Sequence, residues 1–295
     1  MKGDKKMKSI KTNYIKSLSL FFAIAVLVFI TGCNGTPPAV PIINSFIADS
    51  ITIDQGDTIV LSWAVTDATT VTIDQSIGSV ALTGSTSVSP TTATTYTLTA
   101  TNSAGSSTAT VTIIVNNTLI LQPGPAEGKD SMVVTQIPDT NYENNQYFSL
   151  GNLSVSIILR AHLQFDVSIL PTDAVIVNAD LKLYQYQTIG TESFVIGLHQ
   201  VTESWEENMI TWNNQPDYLP SPESTITVTI GALTWLSWDI TSLLQGWLDG
   251  SIANYGVVLK DTDEPLGDTF IRCYSSDYLA NPTLCPKLEI TYYVP

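Results

Sequence analysis

Apolar residues recur at every second position along most of this chain, and that periodicity limits its fold more than any other feature. Ile59, Leu61 and Trp63 alternate with smaller or polar residues in TIVLSWAV, as do Val71 and Ile73. Tyr96, Leu98 and Ala100 repeat the pattern, followed by Val111, Ile113 and Val115. It returns later with Ala161, Leu163 and Phe165, with Ala179, Leu181 and Leu183, and with Leu288, Ile290 and Tyr292. Successive side chains of a strand point to opposite faces, so period two marks half-buried antiparallel strands. The abundant β-branched residues favour the same conformation. Gly56-Asp57, Thr66-Asp67, Gly84-Ser85 and Ser103-Ala104-Gly105 supply turns between the early strands. Only ITSLLQGWLDG, from Ile240, has helical spacing, with Leu243, Leu244 and Trp247 at offsets of three and four. Asp239 and Thr241 are its capping candidates and Gly250 its stop. The expectation is an all-β chain with one short helix.

The 295 residues suffice for about two domains. From Asn34 to Gly128 there is no Lys or Arg, and basic residues reappear at Lys129. NTLILQPGPAEG, 117–128, reads as a linker rich in Pro and Gly. The expected division is a leader over 1–32, a tether over 33–41, a β-sandwich over 42–116, the linker, and a second β-sandwich over 129–295. About seven short strands in the first unit suit an immunoglobulin-like sandwich. PIINSFIADSITIDQGDTIVLSWAV and PTTATTYTLTATNSAGSSTATVTIIV resemble the Ig-like modules that serve as stalks in bacterial surface proteins. Trp63 is read as core, and Tyr96 resembles a tyrosine corner. The second unit, about ten strands with the helix, suits a jelly-roll-like sandwich.

Six of the twelve basic residues precede Cys33, against the single acid Asp4. They lead into LSLFFAIAVLVFI, Leu18 to Ile30, which at 1.5 Å per residue is about 20 Å long and falls short of a ~30 Å membrane core. That length suits a signal peptide. The run ends at Thr31-Gly32-Cys33, which resembles a bacterial lipobox and implies a lipidated Cys33 as the mature N-terminus. Acyl chains at Cys33 would hold the chain on a membrane. The expected location is outside the cell, lipid-anchored at the cell surface or outer membrane. Beyond Cys33 the chain keeps only six basic residues, so it has no electrostatic footprint for nucleic acid.

Five separated segments in the second unit resemble the DNRLRE-domain family, also classed as carbohydrate-binding module family 96. They are SMVVTQIPDTNYENNQYFSLGN, RAHLQFDVSILPTDAVIVNADLKLY, VTESWEENMITWNNQP, WDITSLLQGWLDGSIANYGVVLK and PKLEITY. The resemblance implies a secreted, non-catalytic β-sandwich that binds polysaccharide, with the ligand unspecified by the shared motifs. A structural or adhesive protein with a protein partner, or with the cell envelope as its target, is the alternative. Trp205, Trp212 and Trp247 fall on motif positions and are read as core rather than sugar platforms. Glu203, Glu206 and Glu207 are read as turn-capping acids rather than a glycosidase pair. His162 and His199 stand apart without metal-ligand spacing, and no nucleophile elbow or phosphate loop is present.

Alternation also assigns a candidate ligand face. With Ala161 and Leu163 inward, Arg160, His162 and Gln164 point outward; with Leu181 and Leu183 inward, Lys182, Tyr184 and Tyr186 do so. If these consecutive strands pair, their outward residues form one patch, which Trp235 joins because Leu236 and Trp238 are the inward set. The tyrosines would stack on sugar rings and the cations would meet hydroxyls or carboxylates. Ordinary solvated surface, or burial under a second sheet, is the competing reading. Cys273 and Cys285 bracket a short loop and are expected to form a disulfide in an exported protein. Asp130, with Asp261, Asp263, Glu264 and Asp268, offers oxygens for a structural calcium ion, against the plainer reading of a solvated acidic loop. No other cofactor is expected.

Overall fold

The computed structural model describes residues 38–154, 156–231, 233–264 and 268–295. The expected leader over 1–32 and Cys33, the expected lipidation site, lie outside these residues. In the first unit the alternating segments become β1 (Ile42–Ala48), β2 (Thr52–Asp54), β3 (Ile59–Thr66), β4 (Thr70–Ile73), β5 (Gly78–Val80), β6 (Thr83–Val88), β7 (Thr94–Asn102) and β8 (Gly105–Leu121). One antiparallel sheet runs β1-β3-β6. The other runs β5-β4-β7-β8, with β2 added parallel to β8. Ile59, Leu61, Trp63 and Val65 of β3 face Val71, Ile73, Leu98, Ile113 and Val115 across one core. Trp63 is part of that core, and its indole N–H donates to the Ala81 carbonyl at 2.8 Å. Tyr96 is buried in the same core.

β8 does not stop where the Pro/Gly-rich segment begins. Its residues 117–121 continue as strand and pair with the last strand of the second unit, Leu119 opposite Ile290 and Leu121 opposite Leu288. The expectation of a linker over 117–128 is corrected at this point. Leu119 and Leu121 pack against the second core, and that burial extends the strand up to the residues before Pro123.

The second unit contains β9 (Lys129–Val134), β10 (Tyr147–Asn152), β11 (Ile158–Gln164), β12 (Val175–Ile189), β13 (Phe194–Gln200), β14 (Ser224–Val228), β15 (Thr234–Asp239), α1 (Thr241–Asp249), β16 (Val257–Asp261), β17 (Phe270–Tyr274) and β18 (Lys287–Tyr293). One layer has the order β14-β13-β16-β11-β9. The other is built on β12, with β15 along one edge and both β17 and β18 along the opposite edge. β10 lies outside β17, and β8 lies outside β18. Between the layers sit Ala161, Leu163, Leu198 and Leu259 from the first and Leu181, Leu183, Trp238 and Leu288 from the second. α1 adds Leu243, Leu244 and Trp247 to the core. Its start is held by Asp239, whose carboxylate accepts the Thr241 N–H at 2.9 Å, and Gly250 ends it at φ 74°.

β11 and β12 were expected to pair, and they do not. β11 pairs with β9, β10 and β16, whereas β12 lies in the opposite layer. The connection between them is not a hairpin turn: Phe165, Val167 and Leu170 insert into the core and draw the chain across to the other layer.

Candidate functional site

The outer surface of the β12 layer carries a group of aromatic rings. Lys182, Tyr184 and Tyr186 alternate with the buried Leu181, Leu183 and Gln185, as strand geometry requires. Trp235 of β15 stands directly opposite Tyr184, their rings 5.5 Å apart and edge-on. On the other side β17 presents Tyr274, which stacks on Tyr186 at 4.4 Å and lies parallel to Tyr184 at 6.2 Å. The chain then turns and lays Tyr278 on Tyr274 at 3.7 Å. Tyr147 of β10 meets Tyr186 edge-on at 6.4 Å. A β-bulge where β12 meets β17 lets Gln185 and Gln187 face consecutive partners, and Tyr186 is the extra residue between them. All six rings are partly exposed.

Cations frame these rings. Lys287 lies over Trp235 at 4.2 Å and Arg272 over Tyr147 at 4.9 Å. Arg272 also donates to the Gln187 side chain at 3.1 Å. Lys182 and Lys287 both pair with Glu289, which holds its carboxyl below the usual range. The contact with Tyr278, together with burial, pushes the Tyr274 phenol up to about 12, so it is neutral at physiological pH. The surface therefore offers flat apolar ring faces beside N–H and O–H donors, a combination suited to pyranose rings.

Arg160 and His162 do not belong to this surface, which corrects the expected patch. They lie on the outer face of the opposite layer, under the segment 201–218. His162 is fully buried 5.8 Å from the Trp205 ring, beside the small cluster of Val133, Val201, Trp205, Ile210 and Val258. Burial and the nearby Arg160 push its pKa down to about 3. Arg160 donates to Glu264 at 2.6 Å and to Gln215 at 3.0 Å, and its guanidinium covers Trp212 at 4.5 Å. Both residues are committed to holding that segment down.

The sequence model of carbohydrate-binding module family 96 matches residues 126–291, more than half of the chain. The chain belongs to carbohydrate-binding module family 96. Among curated proteins there is no match. Similar solved structures include SGBP-B from a complex xyloglucan utilization locus in Bacteroides uniformis, at 10% identity and TM-score 0.23 over 80% of this chain and 71% of that one. Another is SGBP-B of the Bacteroides ovatus mixed-linkage glucan utilization locus, in complex with a mixed-linkage heptasaccharide, at 11% identity and TM-score 0.18 over 76% of this chain and 50% of that one. Scores this low establish no shared arrangement.

Within the family 96 module, Trp205 and Trp247 are buried and Trp212 is half-buried under Arg160. Trp205 donates to the Tyr255 carbonyl at 2.9 Å. Glu203 and Glu206 are exposed, while Glu207 accepts the Asp130 backbone N–H at 2.9 Å. The expected Cys273–Cys285 bridge is not formed, which corrects that expectation. Cys273 points into the main core, whereas Cys285 lies against the carbonyls of Ser276 and Tyr278.

The acids expected around calcium are also separated. Asp261 accepts the Asn152 side chain at 2.7 Å and the Asp263 N–H at 3.0 Å. Glu264 is taken by Arg160 and Lys260, and Asp268 is exposed. Asp130 instead meets Glu207 and Asp277, two residues that sequence reasoning did not connect to it. Tyr147, Tyr274 and Tyr278 were missed as well. Alternation with the apolar Phe148, Ile271 and Cys273 marks Tyr147 and Tyr274 as outward, but nothing local places them beside Tyr186.

Proposed function

We propose that the chain is a non-catalytic, surface-displayed polysaccharide-binding protein, held by a lipid on Cys33, in which an Ig-like stalk carries the family 96 module. Family membership supports carbohydrate binding. The observation that carries the choice of surface is the group of partly exposed rings formed by Tyr184, Tyr186, Trp235 and Tyr274, with Lys287 and Arg272 at its margins. Sugar rings present C–H faces to such aromatics and hydroxyls to the flanking donors.

Affinity electrophoresis of the purified protein through gels containing soluble polysaccharides of varied linkage and charge tests this reading. At least one polymer should retard the wild type. Trp235→Ala and Tyr186→Ala should each weaken binding about tenfold, the equivalent of about 1.4 kcal/mol. Full retardation of the correctly folded double variant would move the binding surface elsewhere. For the anchor, peptide mass analysis of the membrane fraction should give an acylated N-terminal Cys33 peptide. A mature chain that starts at another residue would contradict it.

A further inference from the structure

Three acidic side chains converge where three chain segments meet, one of them in the turn that carries Tyr278. Asp130 stands at the start of β9, 4% exposed, and its Oδ2 accepts the Ser276 N–H at 2.9 Å. Glu207 reaches in from the segment that covers His162, and Asp277 from the turn after β17. One carboxylate oxygen from each lies within 4.8 Å of the others. Asp277 Oδ2 is buried and meets no donor. The hydroxyl of Ser276, a residue 1% exposed, lies beside the Asp130 carboxyl and has no well-formed hydrogen bond. Among the described residues none of the three acids forms an ion pair, and Lys129 lies over the Trp205 ring instead. Glu143 adds further negative charge.

Three carboxylates crowd together beside a buried hydroxyl, and among the described residues no cation pairs directly with any of them. We propose that Asp130, Glu207, Asp277 and the Ser276 hydroxyl bind one calcium ion. Every ligand offered is a hard oxygen, with neither thiolate nor imidazole among them, as calcium prefers. Calcium–oxygen bonds of about 2.3–2.6 Å put opposite ligands up to ~5 Å apart, and the three carboxylate oxygens are spaced within that span. Burial raises all three carboxyl pKa values, that of Asp130 to about 7; repulsion from Glu207 and Asp277 adds to this at Asp130, and repulsion from Glu143 adds to it at Glu207 and Asp277. Asp277 sits between Tyr274 and Tyr278 in sequence. The ion would therefore pin the turn that stacks these rings, while joining the start of the module to the 201–218 segment.

Isothermal titration of calcium into chelator-treated, desalted protein tests the proposal. One calcium should bind per chain, with terbium luminescence sensitised by the adjacent tyrosines as a second readout. Asp130→Asn also disturbs the buried contact to Ser276 and is a poor probe on its own. The half-buried Asp277→Asn and Glu207→Gln are the informative variants, with melting in chelator showing that each is folded. Each should weaken binding roughly tenfold or more and reduce the rise in melting temperature that calcium gives the wild type. No binding at millimolar calcium, equal affinity in folded Asp277→Asn, or equal affinity for magnesium would each overturn the assignment. The test is independent of polysaccharide binding, so either result can fail alone.

Discussion

His162 shows how a single side chain can be placed correctly by pattern and still be misread. Alternation puts it outward on β11, and it does point away from the main core. What the pattern does not contain is the segment 201–218, which returns to cover it and leaves both ring nitrogens without partners. Its pKa near 3, against an ordinary 6.5, means that the unfolded chain takes up the proton first. Stability contributed here is complete above pH 6.5 and is lost as pH falls from 6.5 toward 3. His162→Leu should be close to neutral at pH 8. In urea titrations it should flatten the acid slope by up to about 1.4 kcal/mol per pH unit between 6 and 4. Parallel slopes for wild type and variant would show that the imidazole is not held neutral. The tyrosines were read with more success because they needed only a strand's parity. Tyr184, Tyr186 and Trp235 are outward and adjacent as expected, while their partner Tyr274 comes from a strand that parity alone does not bring alongside.

The elements themselves were largely legible, and their pairing was not. Period-two patterns place β3, β7, β11, β12, β15 and β18, and helical spacing places α1, because each reports only on its own two faces. Pairing depends on where connections travel, which is why β11 and β12 were assigned to one layer in error. Close approach between neighbouring strands of one layer imposes a requirement of its own at Gly256, which leads into β16 with φ 83°. A Cβ there would run into the Leu163 carbonyl oxygen of β11. Gly256→Ala should therefore cost about 2 kcal/mol or more in chemical denaturation. A variant as stable as the wild type would mean that β11 and β16 are not so closely apposed. β8 gives a second test at this scale. A fragment of residues 117–295 keeps the strand beside β18, whereas 129–295 exposes the edge of β18 and uncovers the core beneath Leu119 and Leu121. The shorter fragment should melt several degrees lower. Equal melting would return 117–121 to the role of a linker.

At the scale of the whole molecule, β8 belongs to both sandwiches. Its seventeen residues span about 56 Å at 3.3 Å each, entering at Gly105 and leaving at Leu121. The chain enters the first sandwich near the Gly105 end: Ser107 donates to the Pro41 carbonyl at 2.6 Å, and Asn102 donates to that of Ala39 at 2.7 Å. The tyrosine-bearing module is joined to the opposite end through β18. If the chain is tethered at its N-terminus while it grips a polymer, tension runs lengthwise along this shared strand. Its ladder bonds to β7 and β18 lie across that direction, so they would be loaded in shear and would have to break together rather than unzip one at a time. Under that load this strand, whose last five residues read as a linker in sequence, would act as the tendon of the molecule.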